Sequence, residues 1–212
     1  METNTWFRIG NQNLAVFMRD AGFDLAVFDQ YSPEVQKAAR KAAISEAMWS
    51  LEGEFEDQTD CELKDIEKGI YVISLADGLS VKYRKKHSPV IYIGIGKIHG
   101  RIKSHYEKKL FDFMKSLSGV NFNFHIATPK KKWHRKEDYH KAVEYFMLEE
   151  FSEQTGGMND KYRFPLMNKI SGSNREIDEK DRWWATPLKN SRRPINWRIE
   201  PTDASGFIGG LG

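Results

Sequence analysis

Residues 69–105 read GIYVISLADGLSVKYRKKHSPVIYIGIGKIHGRIKSH, and two apolar runs within this stretch decide the fold. The runs at 69–73 and 90–94 are rich in β-branched residues and tyrosine and are bounded by turn-forming or charged residues, which predicts two β-strands. A Gly-Ile-Gly break ends the second run, and Ile98 and Ile102 follow at helical spacing. The stretch therefore predicts two strands, a glycine break and the start of a basic helix.

The elements after this stretch extend the same core. The basic helix is predicted to reach Leu117, and residues 121–127 alternate between polar and apolar side chains, which is typical of a half-buried strand. A further helix is predicted from Glu137 to about Gln154. The expected fold class is α/β of the α+β kind, with a small three-stranded sheet flanked by helices.

The N-terminal region is predicted to be helical, and it begins the division of the chain into three parts. Ser32 followed by Pro33 is typical of a helix start, and the apolar spacing after it supports a helix to about Leu51. We divide the chain into an acidic helical extension at 1–67, a core at 68–174, and a C-terminal extension at 175–212. This last part is rich in Trp and Arg and is expected to pack on the core.

Composition excludes several classes of protein. The chain has 212 residues, 40% of them hydrophobic, which is enough for a moderate core. No apolar run approaches the ~18 residues of a membrane span, and the first residues lack the pattern of a signal peptide. Cys61 is the single cysteine, which excludes a disulfide framework or a cysteine-based zinc site within the chain. We predict a cytoplasmic protein with no membrane partner.

The charge of the chain is unevenly distributed. Residues 1–67 contain six Lys and Arg against fourteen Asp and Glu, whereas the remainder contains 27 basic and 16 acidic residues. The net charge of +3 is therefore the sum of two unlike parts. Residues 1–67, the acidic head, have a net charge of −8, and residues 68–212, the basic body, have a net charge of +11. Basic surfaces bind nucleic acid because they neutralise phosphates, so this asymmetry favours a nucleic-acid partner.

One carboxylate stands in the apolar stripe of the helix predicted after Glu137. Glu144 precedes Met147 and Leu148 by three and four residues and lies on their helix face. A carboxylate in such a stripe is costly unless it is paired, protonated or bound to a metal ion. Glu149 and Glu150 remain alternatives for a metal ligand in this helix.

The motifs together resemble the GIY-YIG nuclease family. The tripeptides GIY at 69–71 and YIG at 92–94 occur in the family's order and in strand context, and the predicted strand, strand, helix, strand order is similar to its core. Arg101 follows Tyr92 by nine residues, and His105 follows four residues later. About twenty residues separate the tripeptides where the family has about ten, so residues 77–88 are interpreted as an insertion.

The resemblance implies a metal-dependent endonuclease that hydrolyses phosphodiester bonds in DNA. The family pattern assigns six residues to the site, namely Tyr71 as general base, Tyr92 and His105 as its neighbours, Arg101 as the scissile-phosphate ligand, Glu144 as the ligand of Mg²⁺ (or Mn²⁺), and Asn168 as the residue that ties the motifs together. To act as a base at neutral pH, Tyr71 needs a nearby cation or an acceptor for its proton, and Tyr92 and His105, or a lysine of the insertion, are expected to supply it.

A stand-alone restriction-type or phage-type enzyme is the expected form, because no zinc finger, long linker or helix-hairpin-helix repeat is visible. The expected partner is double-stranded DNA, and a palindromic site would imply a homodimer. Two alternatives stay open, a nucleic-acid-binding module without catalysis and a structure-specific nuclease of DNA repair or recombination. A third hypothesis is an interaction protein whose acidic head binds a basic partner.

Overall fold

A computed structural model describes residues 2–117, 119–130, 139–157, 165–168, 182–189 and 197–199. Its strands are β1 Phe7–Gln12, β2 Gly69–Leu75, β3 Leu79–Lys82, β4 His87–Ser88, β5 Val90–Gly96, β6 Phe122–Ala127 and β7 Trp197–Ile199. Its α-helices are α1 Leu14–Asp20, α2 Pro33–Thr59, α3 Ile98–His105, α4 Phe111–Ser116 and α5 Tyr139–Thr155. A π-helical turn, Tyr106–Leu110, joins α3 to α4, and 3-10 helices span Leu25–Gln30, Leu63–Asp65 and Trp183–Leu188.

The centre of the fold is a four-stranded antiparallel sheet with the order β1-β6-β2-β5. Strand β2 is central, since it pairs with β5 on one side and with β6 on the other, and every one of its residues is buried. The three strands predicted from the sequence are therefore neighbours in the sheet. The fourth strand, β1, comes from the region that was predicted to be helical, so the expected strand count of three is wrong.

The N-terminal helices share one hydrophobic core with the sheet. Helix α2 begins as predicted, since Ser32 Oγ accepts a hydrogen bond from the Val35 amide and Pro33 occupies the first helical position. The helix continues past the predicted end at Leu51 to Thr59, and Asp60 closes it in the left-handed region at φ 54°. Its buried residues include Ala39, Ala43, Ala47, Leu51 and Phe55.

The insertion at 77–88 forms a second, smaller sheet. Its strands β3 and β4 are antiparallel, and β7 pairs with β3 in parallel. The amides of Arg84 and Lys85 donate to the carbonyls of Gly157 and Thr155 at the carboxyl end of α5. The Lys85 ammonium also donates to a carbonyl of this helix end, that of Glu153. A basic side chain in this position is stabilising because it faces the negative end of the helix dipole.

Only part of the predicted C-terminal extension lies within the described residues. The 3-10 helix Trp183–Leu188 packs against α5 and buries Trp184, Ala185 and Leu188. Trp6 Nε1 donates a hydrogen bond to the Trp183 carbonyl at 3.2 Å, which joins this segment to the N-terminal region. The rest of 175–212 lies outside the described residues. Among the described residues, no helix is long and apolar enough to cross a lipid bilayer.

Candidate active site

Tyr71 and Tyr92 lie next to each other on one face of the sheet. Tyr71 pairs with Gly94 across the β2–β5 ladder, and Ile73 pairs with Tyr92. The two tyrosines are therefore diagonal neighbours on the same face, and their ring centroids are 5.7 Å apart. The two tripeptides of the sequence motif thus place two phenols together by strand register alone.

The glycines of both tripeptides are required by close packing. A Cβ atom at Gly94 would lie 2.8 Å from Tyr71 Oη and 2.5 Å from Tyr92 Cε1, because the Tyr71 ring crosses over this residue. A Cβ atom at Gly69 would lie 2.4 Å from Ile98 Cγ1, where the start of α3 packs over β2. The missing side chain at Gly94 leaves space for the Tyr71 phenol. The missing side chain at Gly69 lets α3, which carries Arg101 and His105, pack closely on β2.

Replacing Gly94 by Ala is expected to displace Tyr71 and to lower the free energy of unfolding by about 1–3 kcal/mol, as overpacking in cores does. Thermal or denaturant unfolding measures this loss. Gly100→Ala is the matched control, because a Cβ atom there meets nothing within 4 Å and alanine favours a helix by up to about 1 kcal/mol over glycine. Equal stability of the two variants would contradict the close packing over Gly94.

Helix α3 and the π-helical turn bring three basic side chains to the phenols. His105 Nε2 lies 2.8 Å from Tyr71 Oη, and the His105 ring meets the Tyr92 ring edge-on with centroids 4.3 Å apart. Lys109 Nζ lies 5.3 Å from the centroid of the Tyr92 ring. Arg101, one turn before His105, acts on both phenols through its charge and hydrogen bonding.

The protonation states in this cluster follow from its burial. Burial lowers the pKa of His105 to about 3, and the charges of Lys109, Arg101 and Lys108 contribute to the decrease. Burial raises the pKa of the Tyr71 phenol well above its usual value; Tyr92 adds to this rise and Arg101 opposes it. At neutral pH the pair is therefore a neutral phenol hydrogen-bonded to a neutral imidazole, which accepts this hydrogen bond at Nε2 when its proton is on Nδ1.

Glu144 reaches the same cluster from α5. Its half-buried carboxylate influences the pKa of Tyr92, and burial raises the pKa of Glu144 itself to about 7 against the opposing charge of Arg101. Of the two alternative carboxylates, Glu149 is exposed, whereas Glu150 forms an ion pair with Arg182 and accepts a hydrogen bond from Gln154. Among the three acids, Glu144 is the one whose interactions connect it to Tyr92 and Arg101.

Asn168 binds the backbone of β5 between Tyr92 and Gly94. Its Oδ1 accepts from the Ile93 amide at 3.0 Å, and its Nδ2 donates to the Ile93 carbonyl at 2.7 Å. The adjacent Met167 amide donates to the Ile91 carbonyl at 2.9 Å. The segment at 165–168 therefore lines the free edge of β5, and Asn168 holds the strand that carries Tyr92.

No protein-family model, no curated protein and no solved structure matches this chain.

The chemistry of the residues fits a single divalent cation at Glu144. Mg²⁺ commonly binds one or two protein carboxylates and retains several waters. Glu144 is a desolvated carboxylate with no ion pair among the described residues, and a cation beside it would stabilise its charged form. Within those same residues, no group of three His, Cys, Asp or Glu side chains is placed to bind a metal ion. Water and substrate oxygens would therefore complete the coordination.

Two residues that contact this region, Lys109 and Tyr83, are not among the site residues predicted from the sequence. Lys109 Nζ donates to the Met167 carbonyl at 2.8 Å while it lies over Tyr92, so it joins the helix to the segment of Asn168. Tyr83 Oη donates to the Val90 carbonyl at 2.6 Å and accepts from the Leu166 amide at 3.1 Å. The sequence places Lys109 four residues after His105, and this helical spacing was the available signal that the two residues share a helix face.

Two lysines of the insertion bind α5 and not Tyr71. Lys85 Nζ donates to the Glu153 carbonyl, and Lys86 Nζ donates to Gln154 Oε1, so both side chains bind the last turns of α5. His105 is the residue hydrogen-bonded to Tyr71 Oη. The expectation of a lysine from the insertion beside Tyr71 is therefore wrong for Lys85 and Lys86.

Proposed function

We propose that this protein is a metal-dependent endonuclease of GIY-YIG type that hydrolyses phosphodiester bonds in DNA. The observation that supports the proposal is the hydrogen bond between Tyr71 Oη and His105 Nε2, with Tyr92, Arg101 and Glu144 around it. Phosphodiester hydrolysis needs an activated water, positive charge at the phosphate oxygens and help for the leaving oxygen. The cluster contains one group for each of these tasks.

Tyr71 is the general base in this proposal, and it works as a relay. The phenol oxygen takes a proton from the attacking water while its own proton passes to His105 Nε2. A phenol with a raised pKa is a poor base when it must remain as phenolate, but the relay leaves Tyr71 neutral after the transfer. His105 becomes an imidazolium in this step, and the negative charge of bound DNA stabilises it.

Arg101 binds the scissile phosphate and controls access to Tyr71. In the structure the Tyr71 side chain is completely buried, whereas the Arg101 side chain is exposed and interacts with both phenols. A guanidinium binds phosphate through two parallel hydrogen bonds, and this contact would draw Arg101 toward the DNA. The same contact places negative charge near His105, which raises its pKa from about 3 and makes it a better proton acceptor.

Glu144 would hold the Mg²⁺ ion. When bound, the ion supplies positive charge for the leaving oxygen. Glu144 contributes its half-buried carboxylate from α5, and Asn168 keeps the β5 backbone in place beside it. Within this proposal, the basic body of the chain supports DNA as the substrate. Double-stranded DNA and a site-specific, restriction-type activity remain the preferred substrate and mode.

The first test is cleavage of mixed plasmid and phage DNA by the wild-type protein, with Mg²⁺ or with EDTA. Discrete fragments that require Mg²⁺ and disappear in Tyr71→Phe and in Glu144→Ala are expected. Salt-sensitive DNA binding by the wild type without cleavage of duplex, branched or single-stranded DNA would contradict the proposal. That result would instead favour a binding module on the same scaffold.

A further inference from the structure

Lys109 places a fixed positive charge beside the proposed proton relay. It follows His105 by four residues in the same helical segment, so the two side chains lie on one side of that segment. The Lys109 ammonium donates a hydrogen bond to the Met167 carbonyl at 2.8 Å and lies 5.3 Å from the centroid of the Tyr92 ring. The edge of that ring contacts the His105 ring. These contacts hold the ammonium in place, although a lysine side chain is flexible by itself.

The charge of His105 decides whether the relay can work. In the transfer, the bond between Tyr71 Oη and its proton breaks, and the lone pair of His105 Nε2 forms the new N–H bond. An imidazole that has already taken a proton from solvent has no such lone pair and cannot accept a second proton. A positive charge held near the ring disfavours the protonated imidazole, so it keeps Nε2 available.

Cations of its own helical segment act on His105. The charge of Lys109 lowers the pKa of His105 more than the charges of the other cations do, in addition to the larger effect of burial. The carboxylate of Glu144 on α5 acts on Tyr92 and Arg101. Among the described residues, the charged and titratable groups that act on or contact His105 are Arg101, Lys108 and Lys109 from this segment, Tyr71 from β2 and Tyr92 from β5.

The charge of Lys109 matters most when DNA is bound. The phosphate would draw the exposed Arg101 guanidinium away and bring negative charge toward His105, and both changes raise the pKa of the imidazole. Lys109 is held by Tyr92 and Met167 of the protein itself, so its charge stays beside His105 in the complex. It therefore limits the rise and preserves the neutral imidazole at neutral pH.

We propose that Lys109 is a positioning residue of this reaction, whose fixed ammonium keeps His105 uncharged and therefore able to accept the proton of Tyr71. The inference rests on the proposed nuclease function. The effect of Lys109 on His105 does not require DNA, however, and can be measured in the free protein.

The titration of His105 in the intact, DNA-free protein is the first test. The NMR shifts of its ring nitrogens, followed from pH 8 down to the acid limit of folding, report its protonation. Lys109→Met keeps the apolar stem and removes the charge, so these shifts should begin to change at a higher pH than in the wild type. Lys109→Arg keeps a cation and should follow the wild type. Lys108→Met is the matched control, because the exposed Lys108 contributes least of the three cations to the pKa of His105.

The pH dependence of single-turnover DNA cleavage with Mg²⁺ is the second test. The rate should fall on the acid side as His105 becomes protonated in the complex. Lys109→Met raises the pKa of His105, so it should move this fall to higher pH, and Lys109→Arg should restore the wild-type position. A residue that only stabilises the fold would lower the rate at every pH and leave the position of the fall unchanged. Thermal unfolding at neutral pH checks that each variant is folded.

A His105 that titrates alike in the wild type and in Lys109→Met would overturn the inference, as would a larger shift in Lys108→Met. An acid fall in cleavage that stays in place although the titration of His105 has moved would overturn it as well. A wild type that cleaves no DNA contradicts the proposed function instead. The titration of His105 then still decides whether Lys109 sets its charge.

Discussion

Replacing Tyr71 by Phe is expected to reduce the rate of DNA cleavage by a factor of about 10²–10⁴, the usual contribution of a general base. The substitution removes one hydroxyl from a completely buried ring and breaks the 2.8 Å contact with His105 Nε2. The aromatic ring, its packing against Tyr92 and the exposed Arg101 remain, so DNA affinity should be unchanged. Single-turnover cleavage and a separate binding titration in EDTA distinguish the two quantities.

Tyr106→Phe is the matched control for this variant. Tyr106 is also completely buried, follows His105 in the same helical segment, and its Oη finds no hydrogen-bond partner among the described residues. Removing that hydroxyl should leave cleavage unchanged and should not lower stability, because a buried polar group without a partner is itself unfavourable. Equal loss of cleavage in both variants would show that the loss is not specific to the Tyr71 hydroxyl and would contradict its role in proton transfer.

Replacing Glu144 by Gln is expected to abolish Mg²⁺-dependent cleavage and, at the same time, to stabilise the metal-free protein above neutral pH. Burial raises the pKa of Glu144 from 4.5 to about 7, so the folded chain holds a proton there that the unfolded chain has already lost. The stability that Glu144 confers is therefore lost as pH rises from 4.5 to about 7, and it does not return at higher pH. The glutamine side chain of the variant does not ionise and escapes this loss.

The size of the stability difference follows from the pKa shift. One pKa unit corresponds to about 1.4 kcal/mol, so the variant should gain at most about 3 kcal/mol over the wild type above pH 7 and nothing below the ordinary pKa of the carboxyl. Denaturant unfolding without metal at both pH values measures this difference. Adding Mg²⁺ above pH 7 should stabilise the wild type and leave the variant unchanged, because a ligand that binds only the folded form stabilises it.

Glu149→Gln is the control for the metal assignment. Glu149 lies on the same helix, is exposed, and has no described contact with Tyr92 or Arg101. The Glu149→Gln variant should cleave DNA and respond to Mg²⁺ like the wild type. Cleavage that survives in Glu144→Gln but is lost in Glu149→Gln would move the metal ligand to Glu149.

The sheet could be predicted from the sequence only where burial leaves a regular pattern. Strands β2, β5 and β6 were predicted because their apolar runs or alternation are clear, and Ser32 with Pro33 marked the start of α2. Strand β1 was missed because its burial does not alternate, with Ile9 and Gln12 buried and a register irregularity between them. The predicted end of α2 was too early, since the polar residues after Leu51 gave no sign that the helix continues.

The grouping of Tyr71, Tyr92, Arg101, His105, Glu144 and Asn168 was predicted by family resemblance, and the structure places these residues in one region. Their catalytic roles stay predictions. The sequence did not reveal the hydrogen bond between Tyr71 and His105, because it depends on how α3 packs over Gly69. Lys109 was missed although it follows His105 by four residues, and the π-helical turn Tyr106–Leu110 that carries it was not predicted.

The pairing of β1 with β6 also has a consequence for how the protein is made. Phe7 leaves the ribosome long before Ile126, its partner in the sheet. Contacts between segments so distant in sequence form late, because closing the long loop between them lowers the chain entropy before the new contacts stabilise the fold. Asn168, which holds β5, is synthesised later still. We therefore expect a slow-folding chain in which the cluster around Tyr71 assembles only after all of these segments have been translated, long after the acidic helical region has emerged.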